Sequence, residues 1–299
     1  MNPIFTGIHY EEPLFRPPAE ANSLIIQVSI GCSQNRCRFC EMYKMKRFRI
    51  RPVDEVLAEI RSVPQEHRTW INRVFLADGD ALVCQQKDLR IILDELAETF
   101  PHMKRVGAYA SPNSLTTKSV EELMILREKK LGILYFGLES GDPATLKLAN
   151  KGYEPSEMLA LCRKAQMARI KLSVTAILGL AGRERTAEHA AATADWITQL
   201  SPEFFSLLTL FGRHNDEYFR SIRPLSHGEI LQEALSMVRR LQPHKTILRS
   251  NHVSNFLNLA GSYPKDRQKL IAAAELALLE ARKDSAWFAE VPDYQEESY

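Results

Sequence analysis

No stretch of this chain approaches the ~18 consecutive apolar residues that a membrane-spanning helix needs. Its N-terminus, Met1-Asn2-Pro3-Ile4-Phe5, has neither the basic segment nor the apolar run of a secretory leader. No association with a membrane is expected. Cysteine is scarce: five thiols in 299 residues make no disulfide framework, and a reducing cytoplasm is the expected setting. Charge of one sign is not in excess either. A net charge of +2 argues against a dedicated nucleic-acid binder, while leaving room for a local basic patch. Also missing are a dinucleotide-type glycine fingerprint after the first predicted strand, any low-complexity segment and any internal repeat beyond a strand–helix alternation. What remains, 45% hydrophobic and 25% charged residues, is the composition of a globular protein with a sizeable core.

Residues 1–22 hold four of the fifteen prolines and little periodicity, so they read as an N-terminal arm. Beyond them, β-rich runs at 23–30, 73–76, 105–110, 133–138, 171–178 and 203–210 alternate with helical patterns at 54–61, 87–100, 119–130, 155–169 and 186–200. Repeated strand–helix alternation predicts a parallel sheet. Six such strands favour an α/β partial (β/α)6 TIM-like barrel over a doubly wound open sheet. From 212 the pattern turns mainly helical. Ser226-His227-Gly228-Glu229 has capping-box spacing and opens a helix to about 241, 246–248 forms a short strand, and 266–282 is helical. The expected division is therefore an arm at 1–22, a core barrel at 23–211 and a helical extension at 212–299 that caps the barrel.

Cys32, Cys37 and Cys40 stand within nine positions, directly after the first apolar run. Three thiolates on one loop suit three corners of a [4Fe–4S] cluster and leave the fourth iron open to a substrate or cofactor. Structural zinc is the alternative, but it ordinarily takes four protein ligands, and His67 and Cys84 are remote in sequence. A third reading makes these three ordinary core thiols. Cys84 and Cys162 read as structural.

The segment Gly31-Cys32-Ser33-Gln34-Asn35-Arg36-Cys37-Arg38-Phe39-Cys40 resembles the cluster loop of the radical SAM (S-adenosylmethionine) superfamily. It departs from the common Cys-x3-Cys-x2-Cys by one extra residue in the first gap. The resemblance covers residues 23–210 and implies further cofactor contacts. Phe39, just before the last cysteine, implies backbone near the adenine. Asp78-Gly79-Asp80 has the place of the glycine-rich turn for the methionine amino group, with Gly79 allowing close approach and Asp78 or Asp80 adding a charge-assisted bond. Read from their position alone, Ser111 and Asn113, after the third strand, are candidates to face cofactor or substrate. Glu139, at the end of the fourth, implies a carboxylate for the ribose hydroxyls. Ile177 and Gly179, at the end of the fifth, flank the adenine, with Gly179 giving room for the ring. Each of these has a plainer use in a turn, a cap or a core.

The resemblance also implies the activity: reductive cleavage of S-adenosylmethionine to a 5′-deoxyadenosyl radical, which abstracts hydrogen from a substrate. A small molecule is the expected substrate, with a flavodoxin or ferredoxin as electron donor. The basic run Lys44, Lys46, Arg47, Arg49 and Arg51 suits an anion, and Arg49 is the candidate for substrate. The polar loop around Asn251 and His252 is the candidate substrate cover, and Arg183 and Arg185 are candidates for the cofactor carboxylate. The short run before the first strand argues against an N-terminal cobalamin-binding domain. Modification of tRNA or another RNA is a second, less favoured reading, because no RNA-binding module is evident. A non-catalytic iron–sulfur or zinc protein is the third. No catalytic acid, base or radical-quenching residue is identifiable in the sequence.

Overall fold

The computed structural model describes residues 8–211 and 215–292. Residues 1–7 of the arm and Gly212, where the extension was expected to begin, lie outside them. The described residues divide into two compact units: 8–35, 42–136 and 160–172 form the first, and 36–41, 137–159, 173–211 and 215–292 the second.

In the first unit the expected opening strand is divided in two. β1 (Leu24–Gln27) pairs parallel with β4 (Arg73–Ala77), whereas β2 (Ser29–Ile30) turns away to pair antiparallel with β3 (Arg49–Ile50). β5 (Arg105–Ala110) and β6 (Leu131–Glu139) continue in parallel, in the order β1-β4-β5-β6. Helices α1 (Val53–Ser62) and α2 (Gln65–Arg68) precede β4, α3 (Gln86–Thr99) precedes β5, and α4 (Pro112–Thr116) and α5 (Val120–Glu128) precede β6. Near-continuous burial along β1 and β4 is the mark of a parallel sheet covered on both faces. Each helix buries one stripe, such as Leu89, Ile92, Leu93 and Leu96 of α3. Strand neighbours follow chain order after β4, without the reversal that a doubly wound sheet requires.

In the second unit β7 (Lys171–Leu178), β8 (Phe204–Thr209) and β9 (Ile247–Arg249) are parallel in chain order, and β10 (Ala260–Ser262) is antiparallel to β9. β10 was not foreseen, because three residues of mixed polarity give no period. A turn and short helix α6 (Pro143–Leu148) follow β6, and α7 (Pro155–Met167), most of which belongs to the first unit, precedes β7. The connection from β7 to β8 is α8 (Gly182–Leu200), kinked at Arg185. The extension supplies α9 (Asp216–Arg220), α10 (His227–Arg240), α11 (Arg267–Ala281) and α12 (Ser285–Ala289), with the predicted capping box at Ser226 and Glu229 formed in both directions. No helix among the described residues is long and apolar enough to cross a membrane.

Candidate functional site

Cys32 belongs to the first unit, and its seat is polar. β2 runs into Gly31, whose N–H donates to the Asp78 carboxylate at 3.0 Å. Asp78 is fully buried and also accepts from Gln27 Nε2 at 3.3 Å and from the buried Lys46 ammonium at 2.9 Å. The Gly79 N–H donates to the Gly31 carbonyl at 3.1 Å, so the loop and the turn after β4 are tied backbone to backbone. The Cys32 thiol reaches the Gly79 carbonyl at 3.7 Å. A Cβ at Gly79 would stand 2.7 Å from Cys32 Cβ and 2.8 Å from the Tyr43 ring, so only glycine allows this approach. Asp80, also fully buried, accepts from Ser33, from the Ser111 N–H at 3.0 Å and from the Ser111 hydroxyl at 2.6 Å. Burial raises the Asp80 carboxyl, against hydrogen bonds from Ser111, Ser114 and Ser33 that lower it. Asn113 Nδ2 adds a bond to the Ser33 carbonyl at 3.3 Å.

Cys37 and Cys40 belong to the second unit, and their seat is apolar. Cys37 and Phe39 are buried with Ala149, Leu180, Leu210, Tyr218 and Ile222, and Cys40 and Ile177 pack against that group. The Phe39 ring meets Tyr218 edge-on with centroids 6.2 Å apart, and the Tyr218 hydroxyl donates to the Leu180 carbonyl at 2.9 Å. The end of α6 holds the loop by its backbone. Arg38 N–H donates to the Ala149 carbonyl at 2.9 Å, and Asn150 Nδ2 donates to the Arg36 carbonyl at 3.0 Å.

Glu139 ends β6 with a positive φ of 67° and pairs with the largely buried Lys151 ammonium at 3.0 Å. Sequence reasoning missed Lys151. Its signal is the Asn150-Lys151-Gly152 punctuation, in which Asn150 and Gly152 both take positive φ. Gly179, at the end of β7, has a φ of +80°, and the nearest atoms to a Cβ there are 3.9 Å away. Backbone conformation, rather than crowding, calls for glycine at this position.

Asp78, Gly79, Asp80 and Ser111 are thus gathered around Cys32, and Phe39 and Ile177 around Cys37 and Cys40. The carboxylates of Asp78 and Asp80 are engaged by the protein's own donors. Within the basic run, Lys46 serves Asp78, Arg49 pairs with Glu11 at 2.6 Å, and Arg51 donates to the Gln27 carbonyl at 2.8 Å. His252 bonds within its own loop, Nδ1 to Ser254 Oγ at 2.8 Å, and burial lowers its pKa. Asn251 is exposed. Asn255 and Ser254 stitch the same loop to β8: Asn255 Nδ2 donates to the Leu207 carbonyl at 2.6 Å, and the Thr209 N–H donates to Ser254 Oγ at 3.1 Å. Arg183 pairs with Glu229 at 2.9 Å, and Arg185 makes a fork on Asp142 at 2.8 and 2.9 Å. Burial alone would raise Asp142, but Arg185 and Thr145 together outweigh it and take the carboxyl down to about 2.

All five cysteines are thiols rather than disulfides. Among the described residues no group of three or more His, Cys, Asp or Glu side chains is gathered as for a metal ion. The fit to an iron–sulfur cluster therefore rests on the donor set: three soft ligands on one loop, anchored on both sides. Cys84 and Cys162 do not belong to it. Both are buried, and burial pushes the Cys84 thiol up to about 12 and raises Cys162 as well.

Residues 26–197 match the family described as the Radical SAM superfamily. The tRNA-2-methylthio-N(6)-dimethylallyladenosine synthase of Nitrosomonas europaea is 26% identical over 176 residues, 56% of this chain and 39% of that protein. Among solved structures, coproporphyrinogen III oxidase (HemN) from Escherichia coli, described as a radical SAM enzyme, has a TM-score of 0.52 at 16% identity, over 80% of this chain and 64% of that one. Methylornithine synthase (PylB) has a TM-score of 0.52 at 12% identity, over 85% and 81%. The radical S-adenosylmethionine methyltransferase TsrM from Kitasatospora setae, with cobalamin and a [4Fe–4S] cluster bound, has a TM-score of 0.50 at 20% identity, over 62% and 36%. The chain thus spans about two fifths of the length of the curated relative and about a third of TsrM. These likenesses show the fold, the α/β, mostly parallel partial TIM-like architecture expected from the strand–helix alternation. With more than half of its length matched, this chain belongs to the radical SAM superfamily, whose cofactors are a [4Fe–4S] cluster and S-adenosylmethionine.

Proposed function

We propose that this chain is an enzyme that cleaves S-adenosylmethionine reductively and takes hydrogen from a small-molecule substrate. The observation that carries the reading is the cysteine loop, anchored on one side by Gly79 and Asp78 and on the other by the Phe39–Tyr218 core. Cys32, Cys37 and Cys40 would hold three irons and leave the fourth open. When bound, the cluster and S-adenosylmethionine together supply a one-electron reduction that releases methionine and the 5′-deoxyadenosyl radical.

The protein's own residues bind and orient. The turn at Gly79 offers backbone carbonyls to the methionine ammonium, with Asp78 and Asp80 fixing that turn from behind. Ser111 acts with Asp80. Glu139 accepts from the ribose hydroxyls, its carboxylate steadied by Lys151. Phe39, Ile177 and Gly179 form the adenine side. For substrate the candidates are Arg49, Asn251 and His252, and Arg49 is the weakest because Glu11 already takes its guanidinium. A flavodoxin or ferredoxin as electron donor, a cytoplasmic location and a division at 22/23 and 211/212 complete the proposal.

Anaerobic reconstitution should give about four irons per chain, and dithionite with S-adenosylmethionine should then yield 5′-deoxyadenosine. A reconstituted protein that makes none overturns the reading. RNA is the second, less favoured substrate class, because the likeness to a tRNA-modifying synthase is distant. Mass spectrometry of tRNA nucleosides from a deletion strain decides between them: a missing modified nucleoside selects RNA.

A further inference from the structure

One buried assembly in the second unit has no part in the roles above. Glu233, on α10, and His189, on α8, both have fully enclosed side chains. Glu233 Oε1 accepts the Gly179 N–H at 2.7 Å, and Oε2 accepts the Thr186 hydroxyl. His189 Nδ1 lies 2.7 Å from the Ser140 hydroxyl. That hydroxyl also accepts the Asp142 N–H at 3.0 Å, which ties the imidazole to the backbone of the turn after β6. Nε2 of the imidazole lies 3.7 Å from Glu233 Oε1, beyond hydrogen-bond reach, so the two enclosed side chains stand next to each other. Thr193, one turn after His189, accepts the Gly141 N–H at 2.9 Å.

Enclosing a carboxyl group carries a desolvation cost, and an apolar side chain of similar volume would often serve packing as well. What the carboxylate does here, and an apolar side chain does not, is hold a backbone amide at positive φ. The imidazole does the corresponding work for the turn after β6. We propose that Glu233 and His189 are a positioning pair that fixes the Glu139–Gly141 turn and the Gly179 turn relative to each other. This rests on the reading that those two turns take the ribose and the adenine of S-adenosylmethionine. Through α10, the C-terminal extension then becomes a working part of the cofactor site rather than only a cover.

Two measurements on the full chain test the pair. Hydrogen exchange on the apo protein should show at least tenfold faster exchange in Glu233→Ala at both 139–142 and 178–182. Loosening confined to α10 overturns the proposal. Equilibrium binding of S-adenosylmethionine to the reconstituted protein should weaken at least tenfold in Glu233→Ala with iron content unchanged. Glu233→Gln should recover most of that loss, because an amide oxygen still accepts from Gly179. Parent-like affinity in Glu233→Ala overturns the proposal. If Glu233→Ala does not fold, Thr186→Val removes one bond from the same carboxylate: faster exchange at 178–182 supports the pair, and unchanged exchange refutes it. If the parent takes up iron but binds no S-adenosylmethionine, the functional reading fails, while the exchange result still judges the pair.

Discussion

The first thiol of the cysteine loop and the last two are held by different physics. Around Cys32 the protein uses buried charge and hydrogen bonds: Asp78 with Lys46, Asp80 with Ser33 and Ser111, and a glycine that lets the chain come within van der Waals contact. Around Cys37 and Cys40 it uses apolar contact, with Phe39 on Tyr218 and with Leu180, Leu210 and Ile222. Hydrogen bonds fix direction, whereas packing fixes volume and excludes water. The difference also predicts how each side fails.

The largest effect is expected where the two sides serve one product. Replacing Cys32, Cys37 or Cys40 by Ala should each abolish iron uptake and 5′-deoxyadenosine formation. Full activity after any one replacement would show that the ligand set is different. Next, Asp78→Ala strands the Lys46 ammonium in the core and should cost about 3–5 kcal/mol, read from the urea midpoint. A loss below about 1 kcal/mol would erase the polar side of the comparison.

A smaller effect concerns acid. Asp142 carries a lowered carboxyl, so its pairing with Arg185 and Thr145 stabilises the fold above the ordinary aspartate pKa. That contribution is lost as pH falls from about 5 through about 2, and it is on the order of 1–2 kcal/mol after allowing for solvent around Arg185. Asp142→Asn should flatten the stability profile over that window, and an unchanged profile would remove Asp142 from the acid response. Tyr218→Phe tests the apolar side most gently. It removes only the bond to the Leu180 carbonyl and should cost about 1 kcal/mol while iron uptake persists. The smallest effect is an expected silence: iodoacetamide at pH 8 should leave Cys84 unlabelled in the folded apo protein, because its thiol is buried and titrates at about 12. Rapid labelling there would show that this part of the first unit opens readily.

Much of the fold was legible because it is periodic. The strands at 105–110 and 171–178 have the bounds predicted from their β-rich runs, and Ser226 with Glu229 announces α10 by spacing alone. The break of the first strand at Val28 was not legible. It comes from β2 pairing with β3, twenty residues away, and no local pattern reports such a partner. For the candidate site, residue types were readable but engagements were not. Arg49, Arg185 and His252 suit ligands on paper, yet each already has a partner within the protein. Lys151, Glu233 and His189 look like ordinary helix or loop residues until their neighbours are known.

The sequence by itself determined the chemistry available to this protein: three closely spaced thiols after a strand, an alternation that makes a parallel α/β fold, and no apolar run as long as a membrane-spanning helix needs. These follow from local composition and period, which short-range sterics and solvent translate directly into structure. Only the tertiary structure decided which charges are already engaged and which turns are held by which helices. Those outcomes depend on contacts between residues far apart in the chain, where burial makes a hydrogen bond or an ion pair strong enough to matter.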